Sequence, residues 1–191
     1  DLSVINGNRP RPLPMALGHE ASGEVIKVGK AVTRVSEGDH VVCTFIPSCG
    51  KCIPCKEGRP ALCENGAISN EKGEMLEGGV RLSNDEGKVY HHLGISGFAE
   101  YSVVSENSIV KIDKKIPFER AAAFGCAIIT GIGAVVNTAQ IRSGSNVAVV
   151  GLGGIGLNAI IGAKLAGANE IIALDINEDK FELAKIGRAH V

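Results

Sequence analysis

The sequence predicts two domains: a β-rich α+β domain over residues 1–115, and the beginning of an α/β domain over residues 116–191. Three observations predict this division. Short runs that alternate apolar and polar residues between Gly and Pro fill much of the first part, and four cysteines lie within residues 49–63. A strand, a glycine-rich turn, a helix and a second strand then follow over residues 146–175, which is typical of a parallel βαβ unit.

Composition and charge exclude several classes of function. The chain has 191 residues, of which 45% are apolar, and this is enough for hydrophobic cores. The formal net charge of −1 provides no basic surface for nucleic acid or an anionic membrane. No apolar run reaches the roughly 18 residues of a transmembrane helix, and no leader opens the chain. We therefore expect a soluble, cytoplasmic protein without a nucleic-acid or membrane partner.

The first domain is predicted to contain short strands at 22–28, 40–46, 97–104 and 108–112. Cys43 falls within one of them, so we expect it to be a small core residue. Residues 65–85 are rich in Gly, Glu and Asn with little periodicity, which predicts a long surface loop. The adjacent His91 and His92 have no nearby carboxylate or cysteine in the sequence, so we do not expect them to bind a metal.

The cysteine-rich stretch 49–63 predicts a metal site with C-x2-C-x2-C-x7-C spacing, formed by Cys49, Cys52, Cys55 and Cys63. Thiolates are soft ligands that suit tetrahedral Zn²⁺, and a set of four sulfurs leaves no position open for a substrate. The predicted zinc is therefore structural and stabilises a small polar lobe. A disulfide pair and unconnected thiols are the alternatives.

The second domain is predicted to begin with helical segments near 117–123 and 128–139, followed by a strand at 146–150. A Gly-x-Gly-x-x-Gly turn then opens a helix that runs to residue 166, and Asp175 ends the next strand. This context predicts a Rossmann dinucleotide site, with the pyrophosphate at the helix N-terminus and the acid on the adenosine ribose. A negative charge there would repel a 2′-phosphate, so we expect NAD rather than NADP. The predicted cofactor-binding residues are Gly151, Gly153, Gly154, Ile155, Gly156 and Asp175.

The cysteine spacing, the Gly-His-Glu at 18–20, the Gly-Cys at 125–126 and the glycine turn at 151–156 occur in an order that resembles the zinc-dependent, medium-chain alcohol dehydrogenases. The resemblance covers nearly the whole chain. It implies a GroES-like β-barrel domain followed by the start of a Rossmann NAD-binding domain. It also implies transfer of a hydride between NAD and a small-molecule alcohol, or in reverse to an aldehyde or ketone.

The resemblance further implies a catalytic zinc with His19 and Cys126 as two of its ligands. Glu20 matches an acid behind this zinc, and Asp1 matches an acid that orients the ligating histidine. Ser3 stands where several relatives have a proton-relay histidine. The first ligand of the family is a cysteine three positions before Asp1, so we expect the sequence to be an inactive fragment, and we give residues 186–191 no functional weight.

Two alternative functions remain open from the sequence. One is a polyol, formaldehyde-adduct or amino-alcohol dehydrogenase of the same superfamily, because the residues that select substrate lie largely in variable loops. The other is a non-catalytic zinc-binding module. For the intact protein, the resemblance implies a homodimer or homotetramer.

Overall fold

The computed structural model describes residues 1–187, 189 and 190. The chain forms two compact units, Asp1–Gly125 and Cys126–Val191. Within the tail at 186–191, Arg188 and Val191 lie outside the described residues. His190 forms a parallel bridge with Ile172.

The first unit contains two three-stranded sheets, with orders β1-β5-β4 and β2-β3-β6. The strands are β1 (Met15–Ala16), β2 (Ser22–Glu24), β3 (His40–Cys43), β4 (Leu82–Asn84), β5 (Gly87–His91) and β6 (Ile109–Lys111). All pairs are antiparallel except β1 with β5. The described strands close neither sheet, so the predicted β-barrel is present only as open sheets. Closure requires enough strands with matching tilt and stagger, and three short strands do not supply them.

Short helices accompany these sheets: α1 (Leu2–Ile5), α2 (Ile53–Lys56), α3 (Glu64–Lys72) and α4 (Phe118–Ala121), with 3₁₀ turns at Pro60–Leu62, Glu106–Ser108 and Ala122–Gly125. Helix α3 begins where the Cys63 sulfur accepts a hydrogen bond from the backbone N–H of Gly66. It ends at Gly73, whose φ of +66° is a conformation that favours glycine.

Two predictions for the first unit are wrong. Residues 65–85 are not one loop, because they contain β4 and all of α3 except its first residue. The caps at the two ends of α3 determine this helix, and its weak apolar periodicity gave no signal. Residues 97–104 were predicted to be a strand, but no described strand pairs with them. Alternation alone does not make a strand, because each strand also needs a partner for its backbone hydrogen bonds.

The core of the first unit lies between β3, β6 and the segment around Ile95. Val41, Cys43, Ile95 and Ile109 are its buried members. Burial raises the pKa of the Cys43 thiol to about 11, so this thiol stays protonated. The prediction that Cys43 is a core residue is confirmed.

The second unit contains the predicted strand–helix–strand order. Its elements are α5 (Ala127–Gly133), a π-helical segment at Ala134–Ala139, β7 (Asn146–Val150), α6 (Gly154–Leu165), β8 (Glu170–Leu174), a 3₁₀ turn at Glu178–Lys180, α7 (Phe181–Ala184) and a 3₁₀ turn at Lys185–Gly187. Strands β7 and β8 are parallel, and Asn146 pairs with Glu170 at the start of the ladder. A Cβ at Gly131 would lie 2.4 Å from the Ile155 carbonyl oxygen, so α5 packs tightly against the first turn of α6.

Among the described residues, no single helix has both the length and the apolar character needed to cross a membrane. One bent pair, Phe118–Gly125 with Ala127–Ala139, meets that criterion only when its two helices are taken together.

Candidate functional site

Four sulfurs converge at the predicted metal lobe of the first unit. The Sγ atoms of Cys49, Cys52, Cys55 and Cys63 all lie within 4.8 Å of one another. Cys52 immediately precedes α2, Cys55 lies within that helix, and Cys63 precedes α3. All four are free thiols, so the alternative of a disulfide pair is not realised.

Hydrogen bonds to the Cys49 sulfur favour its thiolate form. Cys49 Sγ accepts from the backbone N–H groups of Lys51 at 3.5 Å and Cys52 at 3.4 Å, and from Asn65 Nδ2 at 3.2 Å. The Lys51 N–H contributes most, followed by Asn65, and together these donors lower the pKa of Cys49 to about 6. A thiolate stabilised in this way is the form that binds a metal ion.

The other sulfurs share the same polar environment. Cys63 Sγ accepts from the backbone N–H groups of Cys49 and Gly66, both at 3.3 Å. The backbone N–H of Cys55 is the main cause that lowers the pKa of Cys52. Burial, followed by the neighbouring Cys52 thiol, raises the pKa of Cys55 to about 12. Several thiolates crowded together repel one another, and a cation at their centre removes that repulsion.

This donor set fits one structural zinc ion. Four sulfur ligands are a known tetrahedral set for zinc, and they leave no open position for a substrate. Cys63 is only 1% exposed, and the other three cysteines are half-buried. The cluster therefore matches the predicted structural site in both composition and geometry.

A second group of polar side chains surrounds the Asp1 carboxylate. Asp1 Oδ1 lies 3.3 Å from the Gly18 backbone nitrogen, 3.2 Å from His19 Nδ1 and 2.8 Å from His92 Nδ1. Partial burial, followed by the charge of the chain's amino group, lowers the pKa of His19 below its usual range. Burial, followed by the charge of His19, lowers the pKa of His92 to about 4. Because its Nδ1 faces Asp1, His19 keeps Nε2 for another partner.

The remaining residues of the predicted catalytic set lie in different surroundings. Ser3 lies on α1, where its carbonyl oxygen accepts from the Arg9 backbone N–H at 2.7 Å. Glu20 is exposed beside His19, and its negative charge opposes the lowering of the His19 pKa. Cys126 is the first residue of the second unit and precedes α5. The catalytic roles of these three residues stay predictions.

The glycine turn joins β7 to α6 in the second unit. Gly151 has φ +92°, and its N–H donates to the Leu174 carbonyl at 2.7 Å, which ties the turn to the end of β8. A Cβ at Gly156 would lie 1.8 Å from the Gly151 carbonyl oxygen, so only glycine fits there. A Cβ at Gly153 would meet nothing within 4 Å. The glycines at 151 and 156 therefore shape the turn, whereas the one at 153 leaves free space above it.

Two further predicted cofactor residues begin helix α6. Gly154 is its first residue, and Ile155 follows with 53% of its surface exposed. The first four N–H groups of a helix lack partners within the helix, and the helix dipole is positive there. This end of α6 therefore offers backbone N–H donors, and their role in binding a pyrophosphate stays a prediction.

Asp175 connects the glycine turn to the segment after β8. Its Oδ2 accepts from the Leu152 backbone N–H at 2.6 Å, and its Oδ1 accepts from the Asn177 N–H at 2.9 Å. Lys180 Nζ lies 3.0 Å from Oδ2. These bonds, led by the one from Leu152, lower the pKa of Asp175 to about 2. The carboxylate is therefore ionised at neutral pH and supports the turn directly, and its role in binding a ribose stays a prediction.

Comparison with known proteins identifies the family. Residues 1–114 match the sequence pattern of the alcohol dehydrogenase GroES-like domain. The chain belongs to this family. The match covers both cysteine-rich and histidine-containing parts of the first unit, and it explains why the motifs at 18–20 and 49–63 occur together.

Several relatives of this GroES-like chain are named alcohol dehydrogenases. The chain is 46% identical over 186 residues to "Alcohol dehydrogenase class-3" of Drosophila melanogaster. The aligned region covers 97% of this chain and 49% of that protein. Two crystal structures superpose over 98% of this chain and 51% of their own. They are an alcohol dehydrogenase zinc-binding domain protein from Burkholderia ambifaria, with TM-score 0.92 and 38% identity, and the benzyl alcohol dehydrogenase of Acinetobacter calcoaceticus, with TM-score 0.86 and 38% identity. This GroES-like chain thus spans about half the length of the relatives it matches.

Sequence reasoning missed one member of the Asp1 group. His92 was expected not to bind a metal, because no carboxylate or cysteine lies near it in the sequence, and no contact with Asp1 was predicted. The fold brings it to Asp1, which is distant in the chain, through the parallel pairing of β1 with β5. The only signal in the sequence was the adjacent pair of histidines before the predicted strand at 97–104, and that does not specify a partner.

Proposed function

We propose that this chain is part of a zinc-dependent alcohol dehydrogenase that transfers a hydride between NAD and a primary or secondary alcohol. The observation that carries the proposal is the contact of Asp1 Oδ1 with His19 Nδ1 at 3.2 Å. A carboxylate on one ring nitrogen fixes the tautomer and orientation of an imidazole whose other nitrogen binds a metal. Relatives whose names include zinc binding and alcohol dehydrogenase support the same activity.

In this proposal the residues hold two zinc ions. Cys49, Cys52, Cys55 and Cys63 bind the structural one, and His19 and Cys126 are ligands of the catalytic one. Zinc in the catalytic site supplies Lewis-acid chemistry that lowers the pKa of an alcohol hydroxyl. Asp1 orients the His19 ring, Glu20 places a negative charge beside it, and Ser3 offers a hydroxyl for proton exit. The chain therefore contributes ligand orientation and charge to the reaction.

The proposal also divides the chain at residue 115: residues 1–115 belong to a catalytic domain, and residues 116–191, which include the second unit, are the start of a Rossmann NAD-binding domain. When bound, NAD supplies the hydride acceptor. The N–H groups that begin α6 bind its pyrophosphate, and Gly153 leaves space for it. Asp175 accepts hydrogen bonds from the ribose and disfavours a 2′-phosphate by charge repulsion.

The proposal extends to assembly and location. The intact enzyme is proposed to be a cytoplasmic homodimer or homotetramer. All six cysteines are free thiols, which suits a reducing compartment. Family resemblance supports the oligomeric state.

Removing the charge of Asp175 is expected to relax the preference for NAD. In Asp175→Asn an oxygen acceptor remains for the Leu152 N–H, while the repulsion of a 2′-phosphate is lost. Repulsion between like charges across a binding site costs several kcal/mol, so the ratio of the dissociation constants for NADPH and NADH should fall by about tenfold or more. Fluorescence titration of the whole protein that contains this chain with each reduced cofactor measures this ratio.

The matched control is Asp179→Ala, which removes a nearby exposed acid. It should leave the ratio unchanged. An unchanged ratio in Asp175→Asn would remove Asp175 from cofactor selection.

A further inference from the structure

A strained turn follows β5 at residues 92–96. The backbone N–H groups of Ile95 and Ser96 both donate to the His92 carbonyl oxygen, at 3.0 and 3.2 Å. Leu93 and Ser96 both have φ of +54°, in the left-handed region that residues with a side chain rarely adopt. Such strain persists only where the surrounding structure fixes it, and it is concentrated at functional sites.

The residues that follow this turn form backbone hydrogen bonds with the segment that carries His19. Gly97 N–H donates to the Gly18 carbonyl and Phe98 N–H donates to the Leu17 carbonyl, both at 3.0 Å. A Cβ at Gly18 would lie 2.5 Å from the Phe98 nitrogen, so the two backbones touch. The position of His19 is therefore set by the turn that begins at His92.

The His92 side chain is directed at Asp1. It is 5% exposed, and its Nδ1 lies 2.8 Å from Asp1 Oδ1 without a linear hydrogen bond to any described residue. The rings of His92 and His19 lie edge to face with centroids 5.5 Å apart. One carboxylate oxygen is thus held between two imidazoles that approach it from different directions.

The neighbouring His91 has a different task, although it is equally buried. Its Nε2 accepts from the Arg81 backbone N–H at 3.0 Å, which links β5 to the residues before β4. His91 therefore serves the sheet, and its contact with Arg81 explains its burial. Among the described residues, no backbone N–H donates to the His92 ring in this way, so its direction is explained by Asp1.

We propose that His92 is a positioning residue for the catalytic zinc site, which holds the Asp1 carboxylate against His19 Nδ1 so that His19 Nε2 points to the metal. This inference rests on the proposed function. The turn at residues 92–96 holds His92 in place and Gly18 beside it, so one segment orients both the ligand and its carboxylate. His92 acts through Asp1 and does not itself bind the metal.

The test is a set of three substitutions of His92. They separate the effect of an N–H donor at the position of Nδ1 from the effect of the ring's shape. In His92→Asn the amide nitrogen lies as many bonds from Cα as Nδ1 does, so it can still reach Asp1. In His92→Gln the amide lies one bond further out, and His92→Phe keeps a ring without a donor. His91→Gln is the matched control, because it changes the adjacent buried histidine at the end of β5.

The first readout is zinc affinity of the His19 site, measured by chelator competition on the whole protein that contains this chain, after the cysteine cluster has been filled. Loss of an outer partner of a metal ligand typically costs 10- to 100-fold in affinity. We expect about a tenfold loss or more in the Gln and Phe variants, and less than about a threefold loss in His92→Asn and His91→Gln.

The second readout is the His19 ring tautomer, measured by ¹⁵N NMR on this chain with zinc only in the cysteine cluster. The Nδ1–H form should dominate in the wild type and in His92→Asn, and it should decline in His92→Phe. A merely structural defect would lower stability without this selective change of tautomer.

The outcomes separate the two proposals. A wild-type protein that binds no second zinc would contradict the proposed function itself. A second zinc whose affinity and His19 tautomer are the same in all three variants would overturn the role of His92 and leave the function standing. Loss of zinc in His92→Asn as complete as in His19→Ala would overturn positioning in favour of direct ligation.

Discussion

Cys63→Ser should leave the cysteine cluster without zinc and lower the melting temperature of the chain by about 10 °C. Cys63 is almost fully buried, and its sulfur accepts hydrogen bonds from the backbone N–H groups of Cys49 and Gly66. The bond from Gly66 also caps helix α3. A hydroxyl is a poor ligand for zinc in a site built for thiolates. Loss of a metal is among the changes that cost about 4 kcal/mol or more, and each kcal/mol shifts the melting temperature by roughly 2–4 °C in a chain of this size.

Zinc content by atomic emission and a thermal melt test this expectation. The matched control is Cys43→Ala, because Cys43 is buried outside the cluster. This variant should keep its zinc, and its free energy of unfolding should fall by only about 1 kcal/mol. A Cys63→Ser protein that retains zinc and melts like the control would show that the four cysteines do not form a metal site.

Gly153→Ala should weaken NADH binding by tenfold or more without lowering stability. A Cβ at Gly153 meets nothing within 4 Å in the chain, and its φ of −76° suits any residue. The space above it is where the pyrophosphate approaches the backbone in the proposed site, and a methyl group there blocks that approach. A loss of about 1.4 kcal/mol in the free energy of binding corresponds to a tenfold increase in the dissociation constant.

Gly156→Ala is the contrasting variant, because its Cβ would lie 1.8 Å from the Gly151 carbonyl oxygen. It should lose stability as well as binding. Calorimetric titration with NADH and thermal melts of both variants, in the whole protein that contains this chain, give the comparison. Equal NADH affinity in Gly153→Ala and wild type would mean that the turn is only a structural connection between β7 and α6.

The sequence predicted those features that depend on local spacing. The intervals between Cys49, Cys52, Cys55 and Cys63 require their sulfurs to converge, and the structure places them within 4.8 Å. The strand–turn–helix–strand order around Gly156 and Asp175 also follows from local pattern, because a βαβ unit has one common arrangement. The hydrogen bond from the Leu152 N–H to Asp175 was not predicted, because the sequence assigned this acid only a role on the ribose.

Features that depend on distant parts of the chain escaped prediction. His92 reaches Asp1 only because β1 and β5 pair, and nothing near His92 in the sequence indicates this. Residues 97–104 alternate as a strand does, yet no described strand pairs with them. Helix α3 was not predicted for another reason. Its capping residues Cys63 and Gly73 are visible in the sequence, but its polar composition favoured a loop.

The most direct test of the proposed activity is the transfer of deuterium from an alcohol to the cofactor. The whole protein that contains this chain, loaded with zinc, is mixed with NAD and an alcohol that is deuterated at its carbinol carbon. Mass spectrometry then locates the label. Hydride transfer predicts that the deuterium appears in the reduced nicotinamide ring, and that His19→Ala abolishes its appearance. A zinc-loaded, NAD-binding protein that forms no reduced cofactor with a range of primary and secondary alcohols, or forms it without the label, would contradict the proposal.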